Sequence, residues 1–282
     1  MKLWPSPAKI NLFLHITGQR PDGYHELQTA FQFLDYGDSL GFEVTDNGKV
    51  RLLTPVEGVA IQDNLIVRAA KLLQKHSNTD LGVNITLNKR LPMGGGLGGG
   101  SSNAATTLVA LNQLWSLNLT EEVLIQLGLS LGADVPVFIR GSAAWAEGVG
   151  EKLIDISPPE PWYAVIIPDC QVSTAEIFSS PELTRNCEPI TISRFLSGEG
   201  GNVCENVVKQ YYPPVADALD WLAQYAKPRM TGTGACVFAE FDSQTKAQQV
   251  VDSLPESWQG FTAKACNQSP LIYGVSKKDA MT

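Results

Sequence analysis

The sequence predicts a protein of mixed α and β structure built in two domains. Three observations predict it. The chain has 282 residues, and at about 150 residues per domain that length gives two. Stretches with the alternating period of a strand are interleaved with stretches of helical period. Between 148 and 161 both periods lapse and prolines cluster, which marks a boundary between two units, 1–155 and 156–282.

Residues 8–16 (AKINLFLHI) alternate, with Ala8, Ile10, Leu12, Leu14 and Ile16 on one side and Lys9, Asn11, Phe13 and His15 on the other. That is the pattern of a half-buried strand. RPDGYH at 20–25 is a turn, with Pro and Gly where turns use them. Residues 27–44 read as strand material, and a short strand follows near 50–53. Over 63–76, Leu65, Ala69, Leu72 and Leu73 share one helical face, and Asp63 can cap the helix. The strand at 83–91 runs into PMGGGLGGG (92–100), and a helix starts at once, with Ser101 or Ser102 as its cap. A helix over 120–131 has Thr120 as cap and Glu121 and Glu122 where the helix dipole favours acids. GADVPVF (132–138) is expected to leave that helix and enter a strand. Strands at 162–168, 235–241 and 261–266 and helices at 214–226 and 245–254 make the second half α/β or α+β.

Composition removes several function classes. Lysines and arginines number 21 against 29 acidic residues, a net charge of −8, so the chain lacks the basic footprint of a nucleic-acid binder. The five cysteines (Cys170, Cys187, Cys204, Cys236, Cys266) are odd in number and contain no C-x-x-C, and there are three histidines. Reduced thiols fit this better than disulfides or a zinc site, and no protein metal ligands are expected. Two prolines and Lys9 interrupt the apolar N-terminal stretch, unlike a signal peptide, and no run nears the roughly 18 apolar residues of a membrane span. These features point to a cytoplasmic protein.

The strongest chemical signal is Gly94-Gly95-Gly96-Leu97-Gly98-Gly99-Gly100-Ser101-Ser102 at a strand-to-helix junction. A helix N-terminus offers unpaired N–H groups and partial positive charge, and glycines let the backbone wrap an anion. The loop therefore suits a di- or triphosphate, with the two serines adding hydroxyls. No Lys follows the last Gly, so it is not a Walker A loop. A second helix follows the first without a strand between, which argues against a dinucleotide fold, and the H-R-D and D-F-G companions of protein kinases are missing.

PMGGGLGGGSSNAA resembles the phosphate-binding motif of the GHMP kinases. PSPAKINLFLHITGQRPDGYHELQT, GADVPVF and RMTGTGACVF narrow the resemblance to the branch whose acceptor is a cytidine diphosphate-linked methylerythritol. The likeness covers most of 4–148, returns at 229–241 and near the C-terminus, and is poor over 180–215. It implies a two-domain α+β fold, with an N-terminal ribosomal-protein-S5-like ATP domain and a C-terminal ferredoxin-like domain that completes the acceptor site. It also implies ATP as phosphoryl donor, with Mg²⁺ carried on its phosphates, and transfer to the 2-hydroxyl of the acceptor. The expected partner is that small molecule, with no nucleic acid and no membrane, for a monomer or weak homodimer.

The same resemblance implies roles for particular residues. Lys9 and Asp134 are the catalytic pair: an ammonium that stabilises transferring charge and a carboxylate that takes the hydroxyl proton. By residue type alone, Lys9 reads as a solvated strand residue and Asp134 as an ordinary Asp at a helix exit. Pro92, Met93, Gly94, Gly95, Gly96, Leu97, Gly98, Gly99, Gly100, Ser101 and Ser102, with Asn64 and Lys89, surround the nucleotide. Asn11, Tyr24, His25, Phe178, Gly232 and Thr233 surround the acceptor, with Tyr24 able to stack on a base and His25 to bond its polar edge. Packing accounts for Phe178 as well, and a tight strand entry accounts equally for the Gly232-Thr233-Gly234 turn.

Overall fold

The two N-terminal strands form one long hairpin, β1 (Leu3–Gln19) and β2 (His25–Thr45), in a computed structural model that describes residues 2–272. The chain continues through β3 (Val50–Leu52), α1 (Leu65–Ser77), β4 (Gly82–Asn88), α2 (Gly99–Leu114), α3 (Glu121–Leu129), α4 (Val135–Arg140), β5 (Ala144–Gly148) and β6 (Lys152–Asp155). The second half runs β7 (Trp162–Ile167), α5 (Thr174–Ser179), α6 (Ile192–Leu196), α7 (Glu205–Tyr211), α8 (Pro213–Leu222), β8 (Arg229–Met230), β9 (Val237–Phe241), α9 (Gln244–Asp252) and β10 (Gln259–Cys266). The last ten residues of the 156–282 unit lie outside the described residues.

β2 organises the sheet because its length lets it pair with several neighbours in turn. Its N-terminal part pairs with β5, its far end with β4, and Phe33 and Leu34 meet Cys266 and Ala265 of β10. β10 also pairs antiparallel with β7, so strands from both halves join one sheet. Three cores follow. One lies under α1–α4, one holds α7, α8 and β9, and a central one joins Ile10, Phe13, Trp145, Tyr163 and Phe238.

β1 is buried on both faces rather than one: Lys9, Asn11 and Phe13 are as hidden as Ala8 and Ile10. A register shift between Asn11 and Leu14 breaks the two-residue alternation. It sends Phe13 into the central core and Leu14 and Ile16 into the C-terminal one. The segment after Arg185 then covers the strand, through Cys187 N to the Ile16 carbonyl (2.9 Å) and Val203 N to the Leu14 carbonyl (2.9 Å).

Residues 135–140 form α4, a helix, where a strand was expected. Pro136 sits in its first turn, where the missing N–H costs nothing. Its apolar run from Val135 to Ile139 is buried throughout, so no periodicity distinguishes it from a strand. Asn64, not Asp63, caps α1, accepting from Ile66 N at 2.9 Å. Thr120 caps α3 as expected. Neither Ser101 nor Ser102 caps α2; its N-cap is Gly98, in the left-handed region at φ 70°. Ser102 turns inward, fully buried, with its hydroxyl 2.9 Å from that of Ser6.

Candidate active site

The glycine loop between β4 and α2 is built by left-handed glycines and by what they pack against. Gly94, Gly96 and Gly98 have φ of 66°, 74° and 70°. A Cβ on Gly96 would lie 2.2 Å from the Thr231 carbonyl oxygen, and one on Gly98 2.9 Å from the Phe138 ring. Neighbouring segments engage the loop's carbonyls. Lys9 N donates to Leu97 O (3.0 Å), Ala235 N to Gly94 O (3.1 Å) and Cys236 N to Gly95 O (3.1 Å), and Thr231 Oγ1 donates to Gly96 O (3.2 Å). With no side chain capping α2, its first N–H groups remain for a ligand.

The loop separates two clefts. A smaller one of about 360 Å³ is lined by Pro92, Met93, Gly94, Gly95, Gly96, Leu97, Gly98, Gly99, Gly100 and Ser101, with Asn64, Lys89, Val56 and Val59 opposite. A larger one of about 780 Å³ is lined by Lys9, Asn11, Tyr24, His25, Asp134, Phe178, Gly232 and Thr233. Gly94, Gly96 and Gly98 line both. Every expected nucleotide residue but Ser102 thus borders the first cleft, and every expected catalytic and acceptor residue borders the second. The turn at 231–236 that ties down the loop also brings Gly232 and Thr233 to the larger cleft, where Thr233 shares a hydroxyl contact with Thr174 at 2.9 Å.

On the larger-cleft side of the loop Lys9 Nζ lies 3.2 Å from Asp134 Oδ2. It donates to Asn11 Oδ1 (2.6 Å) and to the Gly96 carbonyl (3.1 Å) and sits 5.3 Å from the centre of the Phe31 ring. Asn11 is fixed in turn by donating to Thr29 Oγ1 at 2.9 Å. Lys9 is buried, whereas the Asp134 side chain keeps 34% of its surface open to the cleft. Such a pair can take a proton from a hydroxyl in the larger cleft and stabilise a phosphoryl group arriving from the smaller one.

Asp38 carries no sequence signature of a site residue, yet it braces the loop. Its buried carboxylate accepts from Arg90 N (2.7 Å), Leu91 N (2.8 Å) and Asn103 Nδ2 (3.1 Å) and pairs with Lys89 Nζ (3.0 Å). It orients the chain entering the loop and holds Lys89, which lines the smaller cleft. The segment 27–44 holds Asp35 as well, so position in the strand does not single Asp38 out.

At the far end of the larger cleft Tyr24 stands on the rim, 65% exposed. His25 and Phe178 stack on each other, centroids 5.2 Å apart and planes at 26°. Phe178 thus lies against His25 rather than across a ring-sized gap from it. Burial, and then the charge of Arg185, hold the His25 imidazole below its ordinary pKa.

The chain is similar to known proteins along nearly its whole length. The family description "GHMP kinases N terminal domain" matches residues 64–142, and "GHMP kinases C terminal" matches 186–260. The 4-diphosphocytidyl-2-C-methyl-D-erythritol kinase of Nitrosococcus oceani is 58% identical over 277 residues, covering 98% of this chain and 99% of the relative. A crystal structure of 4-(cytidine 5'-diphospho)-2C-methyl-D-erythritol kinase superposes with a TM-score of 0.83 at 30% identity, covering 94% of this chain and 99% of the other. The mevalonate kinase of Methanococcus jannaschii shares the fold, with a TM-score of 0.69 at 16% identity over 94% and 98% of the two chains.

Proposed function

Because the chain belongs to the GHMP kinases, we propose that it transfers the γ-phosphate of ATP to the 2-hydroxyl of 4-diphosphocytidyl-2-C-methyl-D-erythritol, a step in the non-mevalonate route to isoprenoid precursors. The observation that carries this reading is the Lys9–Asp134 pair, at 3.2 Å, which lines the larger cleft and is bonded through Lys9 to the Gly96 carbonyl of the loop that borders both clefts.

ATP enters the smaller cleft with its phosphates on the N–H groups of residues 94–101 and beside Lys89. The adenosine end lies toward Val56, Val59 and Asn64. Mg²⁺ carried on the phosphates would neutralise part of their charge. Among the described residues no group of three His, Cys, Asp or Glu side chains could hold an ion independently of the nucleotide. The acceptor lies in the larger cleft with its base near Tyr24, His25 and Phe178, its diphosphate near Gly232 and Thr233, and its hydroxyl at Asp134. Asp134 accepts the hydroxyl proton as the oxygen attacks the γ-phosphorus in line, and the bond from that phosphorus to the bridging oxygen breaks to release ADP. Lys9 stabilises the negative charge on the transferring group. Asn11, which accepts from the ammonium, holds it in place.

In this reading residues 1–155 carry most of the ATP site and 156–282 complete the acceptor site. A kinase of a small soluble alcohol works where ATP is, in the cytoplasm, and no described helix is long and apolar enough to cross a membrane. The test is a phosphoryl-transfer assay with the cytidyl acceptor, mevalonate and homoserine side by side. Turnover confined to the cytidyl acceptor supports the reading; preference for either smaller alcohol overturns it.

A further inference from the structure

The segment from 180 to 190 carries no strong sequence pattern, yet it places a guanidinium against the base end of the larger cleft. Arg185 Nε donates to His25 Nε2 at 3.0 Å. Its Nη2 donates to the carbonyls of Phe178 and Ser180, both at 2.8 Å, and its Nη1 to that of Leu183 at 3.0 Å. The planar fork thus binds the end of α5, its own loop and the His25 ring at once, and the Phe178 ring it anchors stacks on that same imidazole.

We propose that Arg185 is a positioning residue that holds His25 as the neutral tautomer protonated at Nδ1 and fixes Phe178 behind it, so that the base pocket carries a hydrogen-bond donor of set direction. This rests on the reading of the larger cleft as a cytidyl-acceptor site. The chemistry is one of elimination. Arginine has no acceptor and keeps its protons, so the ring nitrogen facing it must offer a lone pair. A neutral imidazole with a lone pair at Nε2 carries its proton at Nδ1. Among the described residues the His25 ring has no other hydrogen-bond partner, which leaves Nδ1–H for the ligand. Cytosine presents an acceptor at N3, where uracil presents a donor. A fixed donor therefore favours cytosine, and a ring free to exchange tautomers loses that preference.

The charges around the ring agree. Arg20 and Asp22 on its own turn pair with each other at 2.8 Å, and Glu176 on α5 accepts from Tyr212. Glu26 follows it on β2, and Glu182 and Glu188 flank Arg185 in the loop. Arg185 is the charge that acts on the imidazole.

The experiment uses the full chain, with Arg185→Gln and Arg185→Lys, each checked by thermal unfolding. Nitrogen-15 NMR of the His25 ring at pH 7.5 should find the wild type protonated at Nδ1, and Arg185→Gln shifted toward Nε2 with a higher pKa. Arg185→Lys keeps the charge but not the fork, so the pKa should stay low while the tautomer is lost. In kinetics both variants should raise KM for the cytidyl acceptor on the order of tenfold, with kcat and the KM for ATP within twofold. The wild-type preference for the cytidyl over the uridyl acceptor should shrink. Protonation of wild-type His25 at Nε2, or an unchanged acceptor KM in folded variants, overturns the proposal. Failure of the wild type to phosphorylate the cytidyl acceptor would instead overturn the functional reading, and the NMR result would still decide whether Arg185 sets the tautomer.

Discussion

Lys9 and Asp134 meet at 3.2 Å although one lies in the middle of β1 and the other is the residue before α4. The ammonium is buried and the carboxylate is partly open, so the carboxylate faces the larger cleft and the cation backs it. Around them the Gly96 carbonyl and Asn11 Oδ1 take the remaining ammonium protons. The pair is thereby tied to the glycine loop itself.

This asymmetry predicts different losses for the two residues. Asp134→Asn keeps the shape and removes the proton acceptor, so kcat should fall on the order of 10²–10⁴ with acceptor KM little changed. Lys9→Ala should also lower kcat, and in addition leave Asn11 Oδ1 and the Gly96 carbonyl without their donor. Its unfolding free energy should drop by about 1–3 kcal/mol. Steady-state kinetics and denaturant titration of both variants separate the two patterns. Normal turnover of Asp134→Asn would remove it from the mechanism.

Gly98 joins loop to helix at φ 70°, with room for a Cβ blocked by Phe138 at 2.9 Å and Lys9 Cε at 3.1 Å. Gly98→Val should distort the phosphate cradle by roughly 1–3 kcal/mol of backbone strain and weaken ATP binding about tenfold or more in calorimetry. Gly201→Ala is the control. Its Cβ meets open space and its φ is not in the left-handed region, so ATP affinity should stay unchanged. Unaltered ATP affinity in folded Gly98→Val would count against the cradle.

Tyr24 and His25 differ in exposure, and their variants should differ too. Tyr24→Ala removes a rim aromatic. Stability should change by less than about 0.5 kcal/mol, while lost stacking worth roughly 1–3 kcal/mol appears in acceptor KM. His25 has a pKa below its ordinary value, so the folded protein prefers the neutral ring. Its contribution to stability is complete at high pH and is lost as pH falls from about 6.5 through the lower folded value. Acceptor KM should be flat above pH 7 and climb on the acid side, and His25→Ala should abolish that acid limb. A limb that persists in the variant would assign it to another group.

Asp38 predicts the largest stability loss of any single polar truncation near the site. Asp38→Ala would strand the N–H groups of Arg90 and Leu91, the amide of Asn103 and the Lys89 ammonium. Breaking a buried pair of this kind costs about 3–5 kcal/mol. Urea denaturation should register it, with a secondary loss of ATP affinity because Lys89 and the loop entrance move. A loss below about 1 kcal/mol would show that water replaces the carboxylate.

Local chemistry makes the glycine loop legible in the chain itself, because left-handed turns demand glycine and the loop sits between a clear strand and a clear helix. The hairpin strands, α1, α3 and the late α/β elements are legible for a related reason: their periods of 2 or 3.6 are written in side-chain order. The limits are equally physical. α4 is apolar on every side and shows no period, and α5, α6 and α7 have five to seven residues each, too few to reveal one. The glycine loop and Thr231 cover Lys9 and Asn11, and the bulge sends Phe13 into the central core, where alternation assigns all three to an open face. Contacts across long separations depend on the tertiary fold alone. Asp38 reaching Arg90, Thr231 reaching Gly96, Arg185 reaching His25 and Asp134 reaching Lys9 are each made by two residues that carry no mutual signature in the chain. A side chain's type is local, but the atom it faces is decided by how strands register and helices pack.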